Sequence, residues 1–458
     1  MSREDARPQQ KLGFKGMVGF TVGDYAFNLY WQSVSLFLLF FYTDAVGLSA
    51  GVAGLIYMIA SIFDAVIDPL MGAIADRTRT RWGRYRPYIL FGCPFVGLAF
   101  LLLYYRPPLE GAGLAIWMLA AHIIFRIAYT VASIPYTSMS ARITTSSAER
   151  NSIAGGRIIF ATLGGLTVAG LTQPLARYFG NGDLAHGFLM AAGVFAVIAT
   201  LVMPIVFFAT REPPETGTEV VPHGISGYWQ ALTHNRALWT MLIGVCTGTV
   251  CATALGKSVL YYFKYYIGNE GAAATSLAIC TAAGLVIVPA WMAVTRRIGK
   301  RNAWFAAIVW GLIGLAGFAL IDVRTVPMAI GFFLWMQVTA LGLALGFWSI
   351  LPDTVEYGEL KTGRRAESFV FGLGQFFLKV ALGLGAGLYG WLLGLVGYRA
   401  NVPQTAETLA NLKLLMIVLP TVGLIAAGAA MILYPIRGRM HDEIVEELAR
   451  RRLAGGEP

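Results

Sequence analysis

Apolar runs of about 20 residues, the length that crosses the hydrocarbon core of a bilayer, recur along the whole chain between short polar breaks. A helix satisfies its own backbone hydrogen bonds in lipid, so each run is predicted to be a transmembrane helix. The twelve predicted spans are 18–43, 50–75, 88–105, 113–139, 153–178, 186–210, 237–266, 272–295, 303–321, 328–351, 368–396 and 410–435. The polar N-terminal segment runs directly into the first span, so we expect no cleavable signal peptide.

The longest polar break, residues 211–235, divides the spans into two groups of six. Its Pro and Gly residues are typical of a linker, and similar basic loops follow the second and eighth spans. Secondary transporters built from internal repeats have this organisation. We therefore predict an N-terminal bundle (1–210), a cytoplasmic linker (211–236), a C-terminal bundle (237–436) and a cytoplasmic tail (437–458).

The composition fits a membrane protein, because 57% of the 458 residues are hydrophobic and only 13% are charged. The net charge of +10 does not indicate nucleic-acid binding, since most of the 35 Lys and Arg fall in loops on the side of the chain termini. By the positive-inside rule that side is cytoplasmic. This predicts a multi-pass protein of the cell membrane (inner or plasma membrane) with both termini in the cytoplasm.

The sequence shows no P-loop, nucleophile elbow or HExxH motif, so neither an enzyme nor an ATP-driven pump is indicated. Its four cysteines lie inside predicted spans and lack the spacing of metal ligands. They are interpreted as small buried hydrophobic residues. We expect no bound cofactor.

Charged residues inside the predicted spans are the strongest functional signal. A charge at the centre of a span costs about 2.5–3.5 kcal/mol on insertion scales, so each one is a functional hypothesis. They are Asp24, Asp64, Asp68, Arg126, Arg157, Lys257, Lys264 and Lys379. Because they are not expected to face lipid, they should converge on a shared interior.

Asp64 and Asp68 stand four residues apart on the second span, so a helix places them on one face. Two nearby carboxylates repel each other in a low dielectric, and such a pair can bind a proton or another cation and release it. The alternative is that a neighbouring Arg or Lys neutralises both acids and closes a gate. Pro69 follows directly and favours a bend in the helix.

On the first span, Asp24, Asn28, Trp31 and Gln32 lie at i, i+4, i+7 and i+8, again on one face. A carboxylate accepts hydrogen bonds from sugar hydroxyls, and an indole stacks on the apolar face of a pyranose. This stripe predicts a site for a hydroxyl-rich ligand. The alternative for Trp31 is packing against a neighbouring helix.

Further polar side chains occur on three other spans. Glycines around Arg157 on span 5 favour close helix packing. The candidates are Arg126, Tyr129, Thr130, Ser133 and Thr137 on span 4, Arg157 on span 5, and Gln375 and Lys379 on span 11. Of these we predict that Arg126, Tyr129, Ser133, Arg157, Gln375 and Lys379 contact substrate.

The sequence resembles the glycoside–pentoside–hexuronide:cation symporters of the major facilitator superfamily over essentially its whole length. The motifs are GDYAFN, FYTDAVGLS, FDAVIDPLMGAIADRTRTRWGRYRP, YTVASIPYTSM and PDTVEYGELKTGRRAES. The resemblance implies an all-α major facilitator fold of two pseudo-symmetric six-helix bundles. It also implies roles for several residues: Asp24 and Trp31 at the sugar site, Asp64, Asp68 and Thr130 at the cation site, and Arg157 and Lys379 as the basic residues of helices V and XI.

Three positions depart from the family pattern. Ser133 stands where the family has a second sugar-binding acid, and Thr137 where an aromatic follows it, so the identity of the sugar is not carried over. Arg126 lies on the same face and would suit a carboxylated sugar, or would pair with an internal acid. Ile67 replaces an asparagine of the sodium site, which favours protons over Na⁺ as the coupling cation.

We therefore predict a secondary active symporter for a glycoside or hexuronide, coupled to protons or sodium and working by alternating access. The expected partners are a small sugar, a cation and the bilayer, with no nucleic acid, and the expected state is a monomer. Two alternatives are a lysolipid:cation symporter and a transport-dead membrane sensor.

Overall fold

The computed structural model describes residues 12–140, 143, 147–212, 235–362, 367–437 and 440–454. A helix coincides with each of the twelve predicted spans, and a thirteenth lies in the predicted tail. The helices are α1 Gly13–Phe40, α2 Ala50–Arg77, α3 Arg86–Leu103, α4 Gly111–Met139, α5 Ser147–Gly180, α6 Leu184–Ala209, α7 Arg236–Tyr261, α8 Gly271–Ile298, α9 Lys300–Leu320, α10 Val326–Thr362, α11 Glu367–Leu395, α12 Ala406–Ile432 and α13 Met440–Ala454. Most of the predicted linker (211–236) lies outside the described residues.

The helices α2 to α12 are long and apolar enough to cross a membrane, eleven in the described part of the chain. Helix α1 is also long enough, with 28 residues. It is the helix that carries the polar stripe of Asp24, Asn28 and Gln32 in place of apolar residues. Over the described residues, the fold therefore confirms an all-helical membrane protein. The polar residues of the candidate site lower the hydrophobicity of α1.

The packing follows a two-fold pseudo-symmetry. Helix α1 packs on α5 and α6, and α3 on α4 and α6; in the second half, α7 packs on α11 and α12, and α9 on α10 and α12. Between the halves, the main contacts are α2 with α11 and α5 with α8. In each pair, the second helix of one half meets the fifth helix of the other. This is expected for two six-helix repeats that face each other across a pseudo-two-fold axis.

Small residues bring α2 and α11 together. A Cβ placed on Gly390 would lie 2.7 Å from the Cα of Gly54 and 2.6 Å from the carbonyl oxygen of Ala50. Glycine at such crossings lets two backbones approach closely in a membrane. Further along the same two helices, a Cβ placed on Gly383 would lie 2.6 Å from the Cβ of Ser61, three residues before Asp64. The close approach therefore extends to the middle of both helices, where the paired acids lie.

At the end of the bundle opposite the chain termini, the two halves are joined through a buried carboxylate. Asp44, just after α1, accepts hydrogen bonds from Lys264 at 2.6 Å and Tyr398 at 2.7 Å, and from Tyr265. Burial and the neighbouring Asp44 charge raise the pKa of Tyr398, so this phenol keeps the proton that it donates. The side chain of Asn401 adds a bond of 2.6 Å to the Asp44 carbonyl. These contacts join the first half to the second at that end.

Candidate functional site

Asp64 lies at the centre of an ionic cluster formed by α2, α4 and α11. Its side chain is almost fully buried, at 1% exposure. One carboxylate oxygen lies 3.3 Å from a guanidinium nitrogen of Arg126 and 2.9 Å from the ammonium of Lys379. The other oxygen accepts a hydrogen bond of 2.9 Å from the Thr130 hydroxyl. The first half therefore supplies the acid, and both halves supply its cations.

Asp68, one turn further along α2, shares these partners. The Thr130 hydroxyl lies 3.0 Å from one of its oxygens, and Lys379 binds the other. With two acids, Lys379 and Arg126, the cluster carries no net charge, which limits the cost of burying four ionised groups. The Lys379 ammonium contacts both acids. A neighbouring Lys and Arg therefore pair with the acids in this conformation, and whether these contacts form a gate stays a prediction.

A second acidic site is formed by Asp24 between α1, α4 and α5. Its carboxylate lies 2.9 Å from Nε of Arg157 and accepts a hydrogen bond of 2.5 Å from the Tyr136 hydroxyl. The side-chain amide of Asn28 donates to the Asp24 carbonyl at 2.8 Å. Arg157 is 27% exposed at its side chain, so this pair reaches solvent-accessible space.

Trp31 turns from the α1 stripe toward the ionic cluster. Its ring centroid lies 5.3 Å from the guanidinium carbon of Arg126 and 5.9 Å from the ring of Tyr129. A guanidinium over an indole face is attracted by the ring quadrupole. Trp31 thus lies against both Arg126 and Tyr129, and Arg126 pairs with an internal acid in this conformation.

In the described part of the chain, no side-chain hydrogen bond or ion pair joins Ser133 or Gln375 to the two acidic sites. Ser133 is half-buried on α4, and Gln375 is exposed on α11, one turn before Lys379. The structure brings together Asp64, Asp68, Thr130, Arg126, Trp31, Tyr129 and Lys379 in one group, and Asp24, Asn28 and Arg157 in another.

Two functional candidates were not predicted from the sequence. Tyr136 binds Asp24, and its place in the motif YTVASIPYTSM was the available signal. Tyr57 lies between two cations, with its ring centroid 4.2 Å from the Lys257 ammonium and 5.9 Å from the Arg126 guanidinium. Lys257 also donates to the backbone carbonyl of Ser35 on α1, so it links the two halves.

A cavity of about 600 Å³ lies between the halves, next to the α1 stripe. Asn28, Gln32 and Leu36 line it from α1, and Ile158, Ala161 and Thr162 from α5. Helices α7, α8 and α10 supply most of the opposite wall. Of the predicted substrate residues, Asn28 is the one that lines this cavity directly.

A separate group of metal-ligand types occurs where α13 meets α10. One ligand atom each from Asp353, Glu356 and His441 lies within 4.8 Å of the others. Lys300, however, contacts both oxygens of Asp353 at 2.7 and 2.9 Å, and His441 lies 2.5 Å from Glu356. The contacts among these residues join α13 to α10 of the second half.

The fold and the buried ionic network define a membrane transporter of the major facilitator type, not an enzyme. The sequence profile of the MFS/sugar transport protein family matches residues 19–438. The chain belongs to this family. It is 32% identical to the isoprimeverose transporter of Lactiplantibacillus pentosus, over 91% of this chain and 88% of that one. It is 27% identical to the glucuronide carrier protein homolog of Escherichia coli strain K12, over 97% of each chain.

Solved structures support the fold. A bacterial homologue of the human lysosomal transporter Spinster, described as inward-facing and unoccupied, aligns with a TM-score of 0.67 at 13% identity. The alignment covers 94% of this chain and 98% of that one. The nucleoside transporter NupG aligns with a TM-score of 0.64 at 14% identity, over 92% of this chain and all of that one.

Proposed function

We propose that this protein is a glycoside:cation symporter of the cell membrane that works as a monomer by alternating access. The observation that carries the proposal is the position of Lys379: a cation from the second half is ion-paired with Asp64 and Asp68 of the first. A coupling cation that binds these acids must compete with Lys379. Loading the cation therefore weakens a contact between the two halves, which is what links ion binding to their movement.

In this proposal, the residues of the Asp24 site contact the sugar. Asp24, Arg157 and Asn28 offer a charged acceptor, a charged donor and an amide, and Asn28 reaches the cavity. The names of the two relatives, an isoprimeverose transporter and a glucuronide carrier protein homolog, support a glycoside as substrate. We assign residues 1–210 and 237–436 to the moving halves, 211–236 to the linker and 437–458 to the tail.

The proposed orientation of the protein in the membrane follows from the distribution of its basic residues. With most Lys and Arg on the side of the termini, that side is assigned to the cytoplasm. The Asp44 contacts then close the external face, and the cavity belongs to an inward-facing state. Because one chain encloses the cavity, no second copy is required for transport.

We further propose that the coupling cation is a proton. Sodium prefers several oxygen ligands, a preference extrapolated from the hard cations Ca²⁺ and Mg²⁺. Asp64, Asp68 and Thr130 offer oxygens, whereas Ile67 offers none beyond its backbone. A proton requires only one carboxylate, so the loss of a neutral ligand next to Asp68 does not impair it.

Uptake of a panel of radiolabelled glycosides into proteoliposomes tests the proposed function, with protein-free liposomes as the control. At least one glycoside should accumulate above its external concentration when a cation gradient is imposed. Counterflow without accumulation under any gradient would identify a uniporter, and the absence of both would contradict transport of glycosides.

A further inference from the structure

The acids Asp24, Asp64 and Asp68 are paired with basic residues and do not line the cavity. Asp24 pairs with Arg157, Asp64 with Arg126, and Asp68 with Lys379. Among the described residues that line the cavity, none carries a formal charge. Arg157, the charged donor of the sugar site, is already paired with Asp24. An ionised substituent placed in the cavity would therefore lose its hydration and find no unpaired opposite charge among the lining residues, which is costly in an apolar environment.

The two walls of the cavity differ in polarity. The α1 and α5 side presents the amides of Asn28 and Gln32 and the hydroxyl of Thr162. The facing wall contains Gln337 and three hydroxyl residues, but aliphatic, aromatic and sulfur-containing side chains dominate it. Its apolar members include Leu255, Val259, Leu277, Phe333, Met336 and Leu343.

The cavity is also larger than one sugar ring needs. Its volume of about 600 Å³ falls in the range of roughly 300–1,000 Å³ that holds ligands of drug size. A pyranose on the α1 side would leave the apolar wall in contact with water. An apolar group attached to the sugar would fill that space and release the water.

We infer that the transported glycoside is neutral and carries an apolar aglycone, such as an aryl or alkyl group, which lies against α7, α8 and α10. The inference rests on the proposed function, since it names the substrate class of the same site. The sugar lies on the α1 and α5 side, where Asn28 continues the Asp24 stripe into the cavity. This choice excludes hexuronides as the preferred substrates.

Cys280 of the apolar wall provides a direct test. A variant that retains only this cysteine (Cys93→Ser, Cys246→Ser, Cys251→Ser) is labelled with N-ethylmaleimide, after its transport has been verified. For each sugar of a panel, the methyl glycoside, the 4-nitrophenyl glycoside and the 4-nitrophenyl uronide are compared as protecting ligands. The 4-nitrophenyl glycoside should protect at a concentration at least ten-fold lower than either of the others.

Two controls define the result. In a variant that retains only Cys93, which is buried on α3 away from the cavity, the ligands should not alter labelling. Met336→Gln adds polarity to the wall and should reduce the advantage of the aryl over the methyl glycoside. Met328→Gln changes an exposed residue of the same helix and should not.

Equal protection by methyl and aryl glycosides, or better protection by the uronide, would overturn the inference and leave glycoside transport intact. Protection by lysolipid but by no glycoside would overturn it as well, and would assign the apolar wall to an acyl chain. If no glycoside is transported or protects, the proposed function fails, and that outcome is separate from the aryl-to-methyl ratio.

Discussion

The two acidic sites of the first half differ in the origin of their counter-ions. Asp24 is ion-paired with Arg157 and accepts a hydrogen bond from Tyr136, and both partners are in the same half. Asp64 and Asp68 share Lys379, which belongs to the other half. A rocking motion between the halves can leave the Asp24 contacts intact, whereas it must change those of the α2 acids. We therefore assign ligand recognition to the first site and coupling to the second.

Neutralising an α2 acid should have the largest effect. Asp64→Asn or Asp68→Asn removes the charge for which the cation and Lys379 compete, so uphill accumulation should be abolished. Ligand binding should persist in part, because the Asp24 contacts are untouched. Accumulation ratios and ligand binding are measured on the same preparations, with Asp322→Asn in an exposed loop as the control. Mutants that still concentrate substrate like the parent protein would refute the coupling role.

Removing Asp24 should affect recognition instead. Asp24→Ala deletes a charged hydrogen-bond acceptor, which is worth about 1.5–3 kcal/mol, so substrate affinity should fall ten-fold or more. Binding titrations on the folded variant measure this loss. Unchanged affinity would place Asp24 in the structure alone, and the distinction between the two sites would disappear.

A smaller effect is expected from Thr130, whose hydroxyl serves both α2 acids. Thr130→Val removes a hydrogen bond worth about 0.5–1.5 kcal/mol, and this bond favours the ionised form of the acid. With a proton as the coupling cation, the proton concentration for half-maximal uptake should therefore fall, by up to about ten-fold. The affinity of the Asp24 site for sugar should not change. Thr172→Val is a matched control, since the hydroxyl of Thr172 is also buried but bonds only the backbone of its own helix. An equal effect in both variants would indicate general destabilisation.

The smallest effect concerns ion selectivity. Ile67→Asn places an amide oxygen next to Asp68. The symporter family that the sequence resembles has an asparagine of its sodium site at this position. It should add sodium stimulation to an uptake that otherwise ignores sodium. The comparison is made at fixed pH with Na⁺ replaced by choline. Sodium stimulation already present in the parent protein would show that Ile67 does not exclude this ion.

The twelve spans were predictable because a membrane helix needs a run of apolar residues whatever its neighbours are. The shared face of Asp64 and Asp68 was predictable for a similar reason, since it depends only on helical periodicity. The partner of Asp68 was not, because Lys379 lies 311 residues away and the rotation of α11 against α2 decides the contact. The same holds for Trp31, whose position on α1 was clear but whose turn toward Arg126 depends on the packing of α4.

The cavity shows the limit most clearly. Its apolar wall is formed by helices whose sequences do not differ in pattern from other lipid-facing apolar runs. Only the arrangement of α7, α8 and α10 separates residues that line the cavity, such as Met336, from residues that face outward, such as Met328. The proposed substrate class could therefore be inferred only from the assembled structure, whereas the candidate coupling acids could be found from the sequence.

Accumulation of a glycoside in sodium-free proteoliposomes under an imposed pH gradient tests the central claim most directly. With the external side acidic, the account predicts uphill uptake that a protonophore abolishes, that Asp64→Asn lacks, and that added sodium changes little. Uptake that requires sodium and ignores the pH gradient would contradict the proton assignment and leave the α2 acids as the coupling pair. Glycoside that equilibrates under both gradients without ever accumulating would contradict symport itself.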